Sequence, residues 1–146
     1  MAHEPEQRSE KPVLLALDPG RGKCGIAVVR RDFTRVLMQV VGLSSLDSRL
    51  VEIGRAYRVE AVILGDRTGS KAAAEIVRQA LPEVKIHLVD EHRSTEEGRK
   101  RYFAENPPRG WRRLIPRGLL VPPVPYDDYV AVILAERYLA SLPRRQ

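Results

Sequence analysis

The chain has 146 residues, of which 43% are hydrophobic and 30% charged. That is enough for one domain with a real core, and the balance excludes a disordered polyelectrolyte. Its formal net charge is +6, from 25 basic against 19 acidic residues, which favours a polyanionic partner.

A single cysteine, Cys24, excludes an internal disulfide and fits a reducing compartment. The opening "MAHEPEQRSEK" has no apolar segment, and no run approaches the length needed to cross a bilayer. A cytoplasmic protein with no membrane partner is therefore expected.

Residues 1–11 are polar and are expected to form a disordered N-terminal tail, leaving 12–146 as a single domain. "PVLLALD" (12–18) is a nearly unbroken apolar run, as in a strand buried on both faces. "CGIAVVR" (24–30) and "RVLMQVV" (35–41) follow closely enough to make an antiparallel meander. The period then becomes helical: Leu46, Leu50, Ile53 and Tyr57 recur on one face, with Ser44, Ser45 and Asp47 available as caps.

"EAVILGD" (60–66) reads as a fourth strand and "SKAAAEIVRQALP" (70–82) as a helix with Ser70 as its N-cap. "VKIHLVDE" (84–91) is a fifth strand. "STEEGRKRYFAE" (94–105) is helical, with Ser94 and Glu97 spaced as a capping box. An Arg/Pro-rich loop (106–125) shows no period, and "YDDYVAVILAERYLASL" (126–142) closes the chain as an apolar helix. Strands alternating with helices after a meander predict an α/β fold. Its five-stranded mixed sheet has the order 3-2-1-4-5, strand 2 antiparallel, flanked by helices.

In such sheets, sites form at the carboxyl ends of the parallel strands. Asp18 ends strand one, Asp66 ends strand four, and Asp90 and Glu91 end strand five, while Asp127 and Asp128 open the last helix. Carboxylates gathered from distant segments are what Mg²⁺ or Mn²⁺ needs, since these hard ions prefer oxygen. Asp66 reads first as a loop acid or cap and only second as a ligand. Only one of Asp127 and Asp128 is expected to face the cluster.

From Arg93 to Arg117 there are eight basic residues against three acids, a concentration that suits a phosphate backbone. Trp111 in that stretch either stacks on a base or pins the loop to the domain. Cys24 reads as a small packing residue.

Three separated motifs, "LALDPGRGKCGIAVV" (15–29), "VDEHRSTEEGR" (89–99) and "YDDYVAVILAERYL" (126–139), give the chain its resemblance to the YqgF/RuvX family. These are Holliday-junction resolvases and pre-16S rRNA processing nucleases with an RNase H-like fold, and the likeness spans roughly 13–142. It implies Asp18, Glu91 and Asp128 as catalytic, metal-binding carboxylates, with Asp127 an adjacent extra acid, and Mg²⁺ or Mn²⁺ as cofactor. Gly20 and Gly25 match the first-motif glycines. Lys23 stands where the family usually has arginine. His92 takes the place of the arginine after the glutamate, with Arg93 one position late.

The expected function is a metal-dependent nuclease hydrolysing phosphodiester bonds in structured nucleic acid, either precursor rRNA or branched DNA. Lys23, His92, Arg93, Arg99, Arg101, Arg109, Trp111, Arg112, Arg113 and Arg117 would contact the nucleic acid. A homodimer would supply the paired sites that symmetric junction cutting requires. The main rival is a non-catalytic nucleic-acid-binding protein of the same fold. A phosphate-binding lobe of the actin and sugar-kinase type also opens on an acid–glycine turn, but it needs a second lobe for which 146 residues leave no room.

Overall fold

The apolar run Val13–Leu17 is at most 1% exposed, as a strand without alternation requires. It is the middle of β1 (Ser9–Pro19). The computed structural model describes residues 8–67 and 69–143. β1 begins earlier than its apolar run suggests, because Ser9 pairs with Tyr57. The expected tail of 1–11 is correspondingly shorter, and residues 1–7 lie outside the described residues.

β2 (Lys23–Arg30) and β3 (Arg35–Gly42) complete the antiparallel meander. After α1 (Leu43–Ala56), β4 (Tyr57–Gly65) returns parallel to β1. After α2 (Ser70–Ala80), β5 (Ile86–Val89) adds parallel to β4. The sheet order is β3-β2-β1-β4-β5, as the element order predicts. α3 (Ser94–Glu105) and α4 (Asp127–Ser141) follow.

Alternation along the strands divides the core in two. Val13, Leu15 and Leu17 face α1 through Leu46, Leu50 and Ile53, and α2 through Ala73 and Val77. Leu14, Ala16, Ala27, Val29 and Ile63 face α4 through Ala131, Val132, Leu134 and Ala135. Each fully buried aliphatic side chain contributes about 1.5–3 kcal/mol. Six consecutive residues of α4, Val130–Ala135, are buried, because the sheet takes one side and α3 the other. Gly98 permits that approach: a Cβ there would lie 2.8 Å from Val130 Cγ2. Arg101 then clips α3 to α4 with two hydrogen bonds to Glu136, at 3.0 and 2.9 Å.

The helix starts differ from the expected side-chain caps. α1 is capped at Gly42, α2 at Gly69 and α3 at Arg93, none by a side chain. Backbone carbonyls supply the acceptors instead, from the β1–β2 turn for α1 and from the turns preceding α2 and α3. Leu43 N–H donates to Gly22 O (3.1 Å), Ser70 N–H to Arg67 O (3.0 Å) and Ser94 N–H to Glu91 O (2.9 Å). The Ser94–Glu97 capping box is absent: Ser94 Oγ donates to Glu91 O at 2.7 Å, and Glu97 pairs with Arg137 at 3.0 Å.

The 106–125 segment is less irregular than its composition suggests. It contains two short 3₁₀ turns, Gly110–Leu114 and Arg117–Leu119, and Leu120 anchors it on Tyr102 and Phe103. Among the described residues no helix is long and apolar enough to cross a membrane.

Candidate metal and nucleic-acid site

β1, β4 and β5 run parallel, so their carboxyl ends meet at one edge of the sheet. Asp18 is opposite Gly25 of β2. Glu91 lies two residues beyond β5 and is only 3% exposed. It can be so deeply buried because position 65 has no side chain: a Cβ on Gly65 would overlap the Glu91 carboxyl outright. Asp66 accepts a hydrogen bond from Glu91 N–H (3.3 Å) and so anchors the backbone at Glu91.

Two carboxyls in this setting cannot both ionise cheaply. Burial pushes Asp18 up to about 8, and the charges of Glu91 and Asp127 push in the same direction. Direct interaction of the two side chains raises Asp18 and lowers Glu91. Glu91 is itself raised, burial outweighing that interaction and the nearby Arg67 guanidinium. Arg67 Nε is 3.5 Å from Glu91 Oε2 and its Nη2 donates to Glu91 O at 3.3 Å.

Of the two acids opening α4, the structure brings Asp127 to this pair. Asp127 lines a cleft of about 410 Å³ with Asp18, Lys23, Thr95 and the wall Pro122–Tyr126. Its Oδ2 is 2.9 Å from Lys23 Nζ. Asp128, the residue favoured by the resemblance, does not line that cleft. Its Oδ1 accepts from Tyr129 N–H (3.0 Å), and burial raises its pKa. Successive helical residues point about 100° apart, so one of two neighbouring acids must turn away.

Buried carboxyls held toward their protonated forms suit a hard divalent ion, which binds by displacing protons and often takes only one or two protein carboxylates. The donor chemistry therefore fits Mg²⁺ or Mn²⁺. Among the described residues no group of three or more His, Cys, Asp or Glu side chains stands in metal-holding geometry. Lys23 holds Asp127 instead. Cys24 is buried beside these acids, and burial with their charges pushes its thiol up to about 12, leaving it an inert packing group.

Gly65→Ala is expected to expel Glu91 from the pair. Mn²⁺ binding, followed by titration of the Mn²⁺ paramagnetic signal, should weaken at least about 10-fold. Far-ultraviolet circular dichroism should remain that of a folded protein. Unchanged Mn²⁺ binding would show that Glu91 is not a ligand.

The expected nucleic-acid residues separate into groups. Lys23 is engaged by Asp127 and Arg101 by Glu136, the pair that clips α3 to α4. His92 and Arg93 are exposed beside Glu91, with His92 N–H donating to Asp90 Oδ1 at 2.8 Å. Arg109, Arg112, Arg113 and Arg117 are exposed on the Arg/Pro-rich segment, and Arg99 is half-buried on α3. Trp111 is 70% exposed with the Arg112 guanidinium 5.9 Å above its ring, so Leu120 rather than Trp111 pins the loop.

Arg67 and Gly65 were not singled out by sequence reasoning. A cation directly after the fourth-strand acid, in "GDRTGS", was the available signal for Arg67.

No protein-family model matches the chain, and no curated protein sequence matches it. Among solved structures it is similar to the Fowlpox virus resolvase, determined with its substrate Holliday junction DNA. Identity is 10% and the TM-score 0.59, over 90% of this chain and 99% of that one. It also matches a ROK family transcriptional regulator, a homolog of the E. coli MLC protein, at 13% identity and a TM-score of 0.41 over 63% of this chain and 31% of that one. The first likeness shows the fold: the expected five-stranded mixed sheet flanked by helices is shared with that resolvase.

Proposed function

We propose that this protein is a metal-dependent nuclease of YqgF/RuvX type, hydrolysing phosphodiester bonds in structured nucleic acid in the cytoplasm. The observation that carries the reading is the buried Asp18–Glu91 pair with Asp127 beside it, at the sheet edge of a resolvase-type fold. The fowlpox protein's junction DNA favours branched DNA as substrate; precursor rRNA is the other substrate that the family resemblance implies.

Asp18, Glu91 and Asp127 would hold Mg²⁺ or Mn²⁺. The bound ion supplies an activated water and stabilises the leaving oxygen. The chain's own groups do the rest. Arg67 and Asp66 hold Glu91 from its side chain and backbone N–H. Asp18 would serve as a ligand in its ionised form, the proton it holds in the metal-free protein going to solvent. Lys23 balances the charge of Asp127, and once released it is free to meet a phosphate. Thr95, Pro122–Pro125 and Tyr126 wall the cleft and restrict water.

The test is a substrate panel of four-way DNA junctions, single-stranded RNA and precursor rRNA, each with Mg²⁺, Mn²⁺ or chelator. Metal-dependent cutting of at least one structured substrate is expected. Absence of cutting with both metals on every substrate overturns the reading. The Lys23–Asp127 ion pair favours one alternative, a protein of this fold that binds nucleic acid without cutting it. That protein would show salt-dependent binding indifferent to metal.

A further inference from the structure

One turn along α3 from the carboxylate cleft, three basic side chains border a single small pocket. Arg99, Lys100 and Arg117 line a pocket of about 100 Å³ closed by Phe103 and Gly118. Among the described residues none of the three takes part in an ion pair. Arg101, two residues from Arg99, is by contrast neutralised by Glu136. Like charges repel, so a structure that gathers three of them leaves an anion's place in its electrostatics. The volume is that of about three waters, enough for one tetrahedral oxyanion.

The position of the pocket says which oxyanion. Thr95 lines the carboxylate cleft and Arg99 this pocket, and residues four apart share a helix face. The axial separation is about 6 Å at 1.5 Å per residue, one to two nucleotide steps of a strand at about 3.4 Å each. The Arg/Pro-rich segment contributes to both places: Pro122–Pro125 wall the cleft, and Arg117 completes the pocket.

Resting on the nucleic-acid reading above, we propose that Arg99, Lys100 and Arg117 form a subsite for one backbone phosphate, one to two nucleotides from the bond at the carboxylates. The subsite sets the register of the strand in the cleft and assigns the Arg/Pro-rich segment a role: it delivers Arg117 to α3.

The test uses the full chain in chelator, with four-way junctions carrying a single neutral methylphosphonate at successive positions, read by fluorescence anisotropy. One position near the branch should weaken binding to the parent protein about 10-fold. In the Arg99→Gln/Lys100→Gln/Arg117→Gln variant the same neutral linkage should cost nothing, and the salt slope should fall by about 0.9, the value for one phosphate. Arg117→Glu, a change on an exposed turn, serves as a second variant and should reproduce the coupling if the triple change impairs folding.

Inorganic phosphate should compete with the junction for the parent protein and not for the triple variant. That arm separates a phosphate pocket from general positive charge. The proposal is overturned if no single position stands out, if the neutral linkage weakens parent and variants equally, or if no junction binding is measurable. A protein that binds with this coupling but never cuts keeps the subsite and loses the nuclease reading. One that cuts without the coupling does the reverse.

Discussion

Asp18→Asn is expected to lower metal-dependent cleavage by about 10³-fold, the upper range for loss of one group from a preorganised site, while making the metal-free protein more stable at pH 8. The two effects share one cause. In the folded protein Asp18 keeps its proton up to about pH 8 because of burial and its acidic neighbours; unfolded, its carboxyl titrates near 3.8. Between those values the folded state binds one proton more than the unfolded state. Rising pH therefore favours unfolding, by at most about 1.4 kcal/mol per pH unit. The stabilisation is fully present below pH 4 and is lost as pH rises through about 8.

Asparagine has no such proton, so the variant should lose the Asp18 share of the pH dependence, keep only that of Glu91 and Asp128, and exceed the parent's stability at the alkaline end. Mn²⁺ should raise the parent's melting temperature and leave the variant's unchanged, since a ligand stabilises only the state that binds it. Denaturant titrations at pH 5, 6.5 and 8, with and without Mn²⁺, check both. An Asn variant with the parent's pH dependence would show that Asp18 is not the group holding the proton.

Gly25→Ala is expected to be among the most damaging single substitutions in the chain. A Cβ there would overlap the Asp127 carbonyl and lie 2.7 Å from Asp128 N. Those are backbone atoms at the first turn of α4 and cannot swing aside as a side chain would. α4 would have to lift from β2, loosening the contacts of Ala131, Val132 and Ala135 with that face of the sheet. Overpacking of this kind costs about 3 kcal/mol or more, near 10 °C in melting temperature for a domain of this size.

Gly20→Ala is the internal control. Its Cβ would meet Asp127 Oδ1 at 3.6 Å, an ordinary contact, and its cost should stay within about 0.5 kcal/mol. The two motif glycines look alike in sequence, yet only Gly25 stands under a helix backbone. Equal melting temperatures for the two variants would contradict this packing.

Much of this arrangement is legible in the chain because it rests on local chemistry. The unbroken run Val13–Leu17 can be satisfied only by burial on both faces. The alternation of later strands with helices leaves few right-handed topologies, and 3-2-1-4-5 is one of them. Asp18 at the inner end of such a run is out of place as a surface residue, which is why its role can be suspected early. The helix caps were less legible. Ser44, Ser70 and Ser94 have the right side chains, but the strand-end turns already present carbonyls to the first helical N–H groups, and the hydroxyls are not needed.

The choice between Asp127 and Asp128 could not be read from adjacency, since both satisfy helix-start chemistry equally. Which of them lines the cleft beside Asp18 follows from the rotation of α4, set by the burial of Val130–Ala135 between the sheet and α3. Arg101 likewise reads as one of eight cations in a basic stretch until α4 places Glu136 against it.

The sequence by itself determined the order of the strands and the segments that carry the acids. Burial and hydrogen-bond satisfaction are demands that each segment makes wherever it ends up. Only the tertiary structure decided which charges are paired: Asp127 with Lys23, Arg101 with Glu136 and, among the described residues, Arg99, Lys100 and Arg117 in no ion pair. A charge's partner is set by through-space distance, and that distance exists only once the helices have packed.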